Sequence, residues 1–351
     1  MIDQEKIKTV DKDEMLSHII EFPQQLQKGW NIGVSDSISL KLTDIDSIVF
    51  SGMGGSAIAG DLVKGIFEKM PVPFVVNRSY SVPDFMNTKT LFIASSYSGN
   101  TEETITALKK AIKRKSHIVC ITSGGKVESI GHENHFSVYK IEKGYPPRAA
   151  LGFNLGILIS MLKKMGLNTI SSKDIKKTVR FLTDTIQDWK ELSCGENVPL
   201  HIAEKIKGRI PLIYGSINTC SAVALRWKTQ LNENSKTHAF SQPFSEMNHN
   251  EIMGWEVLSD TKQFFSNLCA VFLRTENDYD RDLYRMDITR SLIEDSGVDI
   301  VDITAEGFSL FSRLMYLVLL GDFVSFYLAV LYGVDPTVIN KIDLLKKQLN
   351  N

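Results

Sequence analysis

The feature that most constrains this chain is a unit that begins at Asp46 and recurs: a short apolar run, a turn of serines and glycines, then a helix. Ser47-Ile48-Val49-Phe50 ends in glycines, and a helix is expected from about Ser56. Phe74-Val75-Val76, between Pro73 and Asn77, is a second extended run. Leu91-Phe92-Ile93-Ala94 ends in Ser95-Ser96-Tyr97-Ser98-Gly99-Asn100, with a helix from Thr101. Ile118-Val119-Cys120-Ile121 ends in Thr122-Ser123-Gly124-Gly125. Strands that end in Ser/Gly turns and feed helices predict a parallel, doubly wound sheet. Such sheets hold their ligands at the carboxyl ends of the strands.

The pattern restarts after helical stretches between about Ser172 and Lys207, broken near Pro199. Ile210-Pro211-Leu212-Ile213-Tyr214-Gly215-Ser216 leads into a helix through Ala222–Trp227, and Ala270–Leu273 and Asp299–Val301 add strands. We read two similar α/β domains in tandem, each a doubly wound, mainly parallel sheet flanked by helices. The second is a degenerate copy, because its turns lack a Ser-Gly-Asn-Thr equivalent. The expected division is a helical segment over 1–40, a first domain over 41–170 and a second over 171–351. In the first segment Met15, Ile19, Phe22 and Leu26 recur at helical spacing. A chain of 351 residues suits two cores of this size.

Composition narrows the partners. The formal charge is -1, so no global basic field exists to hold nucleic acid or an anionic membrane, and anion recognition has to be local. None of the four cysteines (Cys120, Cys194, Cys220, Cys269) lies in a C-x-x-C pair or near a histidine at ligand spacing. Buried free thiols in a reducing cytosol are expected, with no metal site. Met1–Lys6 is polar and lacks the apolar core of a signal peptide. Leu314–Val334 is apolar and long enough to span a bilayer, with Asp322 its one charge. It follows a soluble α/β pattern and contains Gly321, Asp322 and Ser325, so a buried central helix is expected rather than a membrane span.

Four clusters carry candidate chemistry. Ser95–Thr104 combines hydroxyls, a glycine and a helix start directly after a strand. Backbone N–H groups and the helix dipole favour an anion there, and Ser96, Ser98 and Thr101 can donate to it. Simple capping by Asn100 or Thr101 would not need so many hydroxyls, so phosphate binding is the expectation. Gly52-Met53-Gly54-Gly55-Ser56 resembles a dinucleotide turn, but its spacing is wrong and Asn77-Arg78 stands where an acid is required. Taken alone it is either a tight turn or a place for close approach by a sugar; beside the serine loop, a pocket for a small phosphorylated molecule is expected. Arg148, after Pro146-Pro147, is either a surface ion-pair partner or a positioned guanidinium. Arg226–Glu251 gathers Glu233, Lys236, His238, Glu246 and His249, either a solvated helix end or a set of proton-transfer groups.

At these residues the chain resembles the bifunctional phosphoglucose/phosphomannose isomerases of the sugar-isomerase (SIS) domain superfamily. The resemblance rests on SGMGGSAIAGD, SYSGNTEET, PPRAALG, QLNENSK…NHNE and GVDPT…LLKKQL, in that order from about Met15 to the end. It implies two SIS domains, a cytoplasmic homodimer, no metal and no cofactor. It implies interconversion of glucose 6-phosphate and fructose 6-phosphate, and of mannose 6-phosphate and fructose 6-phosphate, through a cis-enediol(ate). Ser96, Ser98 and Thr101 would hold the phosphate, and Gly54, Gly55 and Ser56 would line the sugar. Glu233 would carry the proton between C1 and C2, Arg148 would stabilise the enediolate, and His249 and a C-terminal lysine would open the ring. Of Lys341, Lys346 and Lys347, Lys346 ends the I-D-L-L-K pattern and is the one expected; Thr337 is the candidate for mannose activity. A non-catalytic sugar-phosphate sensor would call for a DNA-binding helix-turn-helix, and an amidotransferase for an N-terminal cysteine; no cysteine precedes Cys120.

Overall fold

The computed structural model describes residues 2–35, 40–67, 69–192 and 197–349. In chain order the helices are α1 (Gln4–Val10), α2 (Met15–Ile20), α3 (Phe22–Ser35), α4 (Gly54–Ile66), α5 (Glu102–Lys113), α6 (Gly125–Glu133), α7 (Leu151–Lys164), α8 (Ser172–Lys190), α9 (Val198–Ile206), α10 (Ser221–Asn234), α11 (Phe244–Met247), α12 (Lys262–Phe265), α13 (Asp280–Glu294), α14 (Leu310–Tyr332) and α15 (Asn340–Leu349). The strands are β1 (Ser47–Ser51), β2 (Phe74–Asn77), β3 (Thr90–Ser96), β4 (His117–Thr122), β5 (Ser137–Lys140), β6 (Ile210–Gly215), β7 (Phe240–Pro243), β8 (Leu268–Arg274) and β9 (Asp299–Thr304).

The chain forms two compact units, Ile20–Thr183 and Met1–Ile19 with Asp184–Asn351. These seams lie elsewhere than the expected divisions at 40/41 and 170/171. The helical segment expected over 1–40 is shared out: α1 packs on α14, and α3 packs along α7. The α3–α7 pair explains its side of the seam. A Cβ on Gly156 would stand 2.4 Å from Leu26 O, and one on Gly29 would stand 2.2 Å from Phe153 O. The two backbones approach so closely that only glycine fits at these positions. Residues 36–39, within the expected helical segment, lie outside the described residues.

In the Ile20–Thr183 unit the sheet is wholly parallel, in the order β2-β1-β3-β4-β5. The central strands β1 and β3 are buried at every residue, as continuous apolar strands covered on both faces must be. Their side chains join those of α5 and β4 in one core of Val49, Phe92, Ile105, Leu108 and Cys120.

The other unit repeats the arrangement with one strand fewer, β7-β6-β8-β9, again all parallel. The tandem repeat expected from the sequence is thus visible in strand order. Helix α14 is apolar all round and is this unit's central helix; 94% of its most apolar window is buried inside the protein. Ser309 caps its start through Ser312 N–H, and Gly333 ends it in the left-handed region. The helical stretch is interrupted near Pro199 as expected: α8 ends at Lys190 and α9 starts at Val198. Pro199 sits in the first turn of α9, where the missing N–H costs nothing. Cys120, Cys220 and Cys269 are buried free thiols, while Cys194 lies outside the described residues.

Candidate active site

Strand order reverses direction between β1 and β3, with β2 to one side and β4 to the other. Loops that leave the carboxyl ends of two such strands diverge and open a crevice. The glycine turn follows β1 and the serine loop follows β3, so the two strongest sequence signals meet at this one place.

Within the serine loop the hydroxyls face one another. Ser96 Oγ lies 2.9 Å from Thr101 Oγ1 and accepts from Gly99 N–H at 3.1 Å. Ser98 is exposed, and its Oγ accepts from Asn100 N–H at 3.2 Å. Thr101 is the N-cap of α5 yet makes no side-chain capping bond. Asn100 is turned away, its Oδ1 accepting from Lys126 N–H at 3.1 Å. Neither Asn100 nor Thr101 makes a side-chain capping bond to α5. The first-turn N–H groups of α5 and its dipole therefore remain to meet an anion.

The glycine turn is shaped by the arginine segment. A Cβ on Gly55 would lie 3.1 Å from Arg148 Cα and 3.2 Å from Pro147 O. Gly54 has φ +48, and Ser56 is buried with its Oγ accepting from Tyr97 N–H at 3.3 Å. Asn77 and Arg78, which deny the turn a dinucleotide role, serve the fold: Asn77 Nδ2 donates to Ser51 Oγ and Ser81 O, and Arg78 pairs with Asp61. Arg148 lies in a 3-10 turn, Pro147–Ala149, and is only 3% exposed, so it is no surface ion-pair residue.

One residue here escaped sequence reasoning. Asn154, buried on α7, donates from Nδ2 to Ser95 Oγ at 2.7 Å and to Ser56 O at 3.3 Å. It ties both loops together. Nothing in an apolar helix announces such a partner; a lone amide inside Leu151–Leu162 is the single available hint.

In the other unit, α10 divides its polar residues between two faces. Arg226 Nη2 donates to Asp322 Oδ2 at 2.7 Å, Gln230 Nε2 to Asp322 Oδ1 at 2.9 Å, and Asn234 Nδ2 to Ser325 Oγ at 3.0 Å. Trp227 Nε1 donates to Leu317 O at 2.8 Å. The polarity of α10, and the buried Asp322 of α14, are thus a seam between these helices. Glu233 faces away from it. It is half-buried and lines a cleft of about 520 Å³ with Asn232, Lys236, His238, Lys341 and Ile342. Lys236 Nζ closes the helix end by donating to Glu233 O, Asn234 O and Asp335 O.

Lys341 lines this cleft and Lys346 does not. Lys346 lies one helical turn beyond Ile342 on the same face of α15. Thr337 immediately precedes the lining residue Val338. His249 is exposed, follows α11 and is not among the lining residues. Its neighbours are held inward: Asn248 Nδ2 donates to Thr289 Oγ1 at 2.9 Å, and the Glu251 carboxylate accepts from Tyr214 OH at 2.6 Å. Burial, then the Glu251 charge, push the Tyr214 phenol upward and keep it a donor. Among the described residues no three His, Cys, Asp or Glu side chains group so as to hold a metal ion.

Comparison with known proteins follows the same division. Residues 41–142 match the SIS domain model, and residues 196–349 match the bacterial phospho-glucose isomerase C-terminal SIS domain. The chain is 40% identical over 337 residues to a bifunctional phosphoglucose/phosphomannose isomerase of Caldicellulosiruptor bescii, covering 95% of this chain and 98% of that protein. It is 36% identical to the protein of the same description from Aquifex aeolicus, covering 90% and 93%. In fold it is similar to the C-terminal domain of glucosamine-fructose-6-phosphate aminotransferase from Francisella tularensis, with TM-score 0.68 and 18% identity over 92% of this chain and 97% of that one. Two SIS domains in series, and identity of this order over nearly the whole length, place the chain in the bifunctional phosphoglucose/phosphomannose isomerase family.

Proposed function

We propose that the protein is an aldose-ketose isomerase that interconverts glucose 6-phosphate, mannose 6-phosphate and fructose 6-phosphate. The observation that carries this reading is the hydroxyl-lined loop at the β1/β3 reversal, set on a helix start that its own N-cap side chain leaves unbonded. Ser96, Ser98 and Thr101 bind the phosphate with the first turn of α5. Gly54, Gly55 and Ser56 leave room for the open-chain sugar. Glu233 takes the proton from C2 of the aldose and returns it to C1. Negative charge develops on the oxygen as that proton leaves, and the buried Arg148 guanidinium stabilises it without reorganisation. His249 and Lys346 serve ring opening, where an acid and a base must act on the ring oxygen and the C1 hydroxyl. The reaction moves protons within one substrate, so it needs no redox cofactor, and the chain offers side chains for each step.

We place the protein in the cytoplasm as a homodimer. The free buried thiols suit a reducing compartment. Exposed large apolar residues are unevenly spread, and Tyr284, Ile288 and Leu292 form a stripe on α13. Such patches mark association surfaces.

The test is coupled conversion of fructose 6-phosphate, read separately for glucose 6-phosphate and mannose 6-phosphate, with chelator present and with Glu233→Gln as control. Both products should form, survive chelation and disappear in the variant. Glucose 6-phosphate alone would retain the fold and the base but remove the role of Thr337. Binding without turnover would favour a sensor.

A further inference from the structure

The phenol of Tyr97 reaches out of the serine loop to the segment that carries Arg148. It donates to Glu142 O at 2.9 Å and accepts from Tyr145 N–H at 3.0 Å. Its backbone is anchored as well: N–H to Ser56 Oγ at 3.3 Å, and C=O from Ser123 N–H at 3.0 Å and Ser123 Oγ at 2.6 Å. From Tyr145 the chain runs through Pro146 and Pro147 to Arg148. Two fixed φ angles leave this lead-in little slack. Beyond Arg148, Ala149 O is held by Gln25 Nε2 at 2.8 Å. Arg148 is thus fixed from behind by α3 and from in front by a tyrosine that belongs to the phosphate loop.

We propose that Tyr97 is a positioning residue that couples occupancy of the serine loop to the placement of Arg148. The proposal rests on the reading of Arg148 as the cation beside the enediolate. Phosphate bound by Ser96, Ser98 and Thr101 steadies the Tyr97 backbone, and the phenol hands that constraint to Tyr145 and on to the guanidinium. Binding energy from the non-reacting phosphate is thereby used at the reacting carbons.

Tyr97→Phe deletes one oxygen and both bonds while the ring stays. The variant should lose about tenfold to a hundredfold in kcat on fructose 6-phosphate, the range for a slightly misplaced group. The inhibition constant of inorganic phosphate should not rise, since the loop hydroxyls are untouched and bound phosphate no longer bears the cost of placing Arg148. In an Arg148→Ala background the same change should cost less than about twofold, because residues that act as a unit do not add. A Tyr97→Phe effect that multiplies with Arg148→Ala overturns the proposal. So does a kcat within twofold of wild type, or phosphate inhibition that weakens in step with kcat. An Arg148→Ala variant with wild-type kcat removes instead the underlying reading of Arg148, and is told apart because it needs no second substitution.

Discussion

The seam between α10 and α14 allows a quantitative test. Asp322 is 3% exposed and Arg226 is 1% exposed, and the carboxylate accepts from both Arg226 and Gln230. Asp322→Leu keeps an apolar volume in the helix but strips a buried guanidinium of its counter-charge. Breaking one partner of such a pair costs about 3–5 kcal/mol. For a unit of this size each kcal/mol lowers Tm by about 2–4 °C, so the melt should fall by roughly 6–20 °C. The paired variant Arg226→Met/Asp322→Leu removes both charges, and replacement of a whole buried pair is often neutral or stabilising. Its Tm should recover most of the loss but stay below wild type, because the buried Gln230 amide loses its acceptor at a cost of about 1–3 kcal/mol. Trp227 and Asn234 still hold the helix in register, so fructose 6-phosphate turnover should persist. Thermal melts by circular dichroism at pH 7 read all three. A single variant that melts within 2 °C of wild type, or a paired variant that melts lower than the single one, would refute the reasoning.

Other predictions are briefer. Gly55→Val drives a side chain into Arg148 Cα and Pro147 O, so kcat should fall by about a hundredfold with little change in Tm; an unaltered rate removes the arginine segment from the site. Gly156→Ala places a methyl 2.4 Å from Leu26 O and 2.6 Å from Trp30 N, which should cost at least about 1–3 kcal/mol in a urea titration. Asn154→Leu cuts the bonds to Ser95 Oγ and Ser56 O and should raise KM for the sugar phosphate more than it lowers kcat, measured by the same coupled assay. Burial pushes the Asp278 carboxyl up, against bonds from Thr219 and Thr275. A carboxyl raised in the folded state binds protons more readily than the unfolded chain, so this group's contribution falls as pH rises through the carboxylate range. The Tm of Asp278→Asn relative to wild type should therefore climb between about pH 4 and pH 7; a difference that is flat in pH counts against it.

Much of the architecture was legible because strands ended in Ser/Gly turns and fed helices, a local signal that needs no tertiary knowledge. The crevice was legible for the same reason: Gly54–Ser56 and Ser96–Thr101 each advertise a backbone conformation or a donor set. What the chain hid was long-range. Asp322 in an apolar helix finds its reason 96 residues away at Arg226, and Asn154 finds its own 59 residues away at Ser95. The membership of α3 was hidden too, although Gly29 and Gly33 on α3, with Gly152 and Gly156 on α7, share the four-residue spacing of a close helix pair. Choice among Lys341, Lys346 and Lys347 turns on helix phase, which no short motif fixes.

The second sheet has a reversal of its own, between β6 and β8. There the loop after β8 reads Thr275-Glu276-Asn277-Asp278, and Asp278 accepts from Thr275 N–H at 2.8 Å and from Thr219. Ser216 Oγ donates to Asp282 at 2.9 Å. The donors that would greet a phosphate are already engaged by carboxylates belonging to the chain, and a tethered anion outcompetes a dissolved one. The second crevice is thus filled from within the chain, while the hydroxyls of the serine loop face one another without a carboxylate between them. On the proposed reading of the serine loop, calorimetric titration should find a single equivalent of sugar phosphate per chain, and two equivalents would count against it.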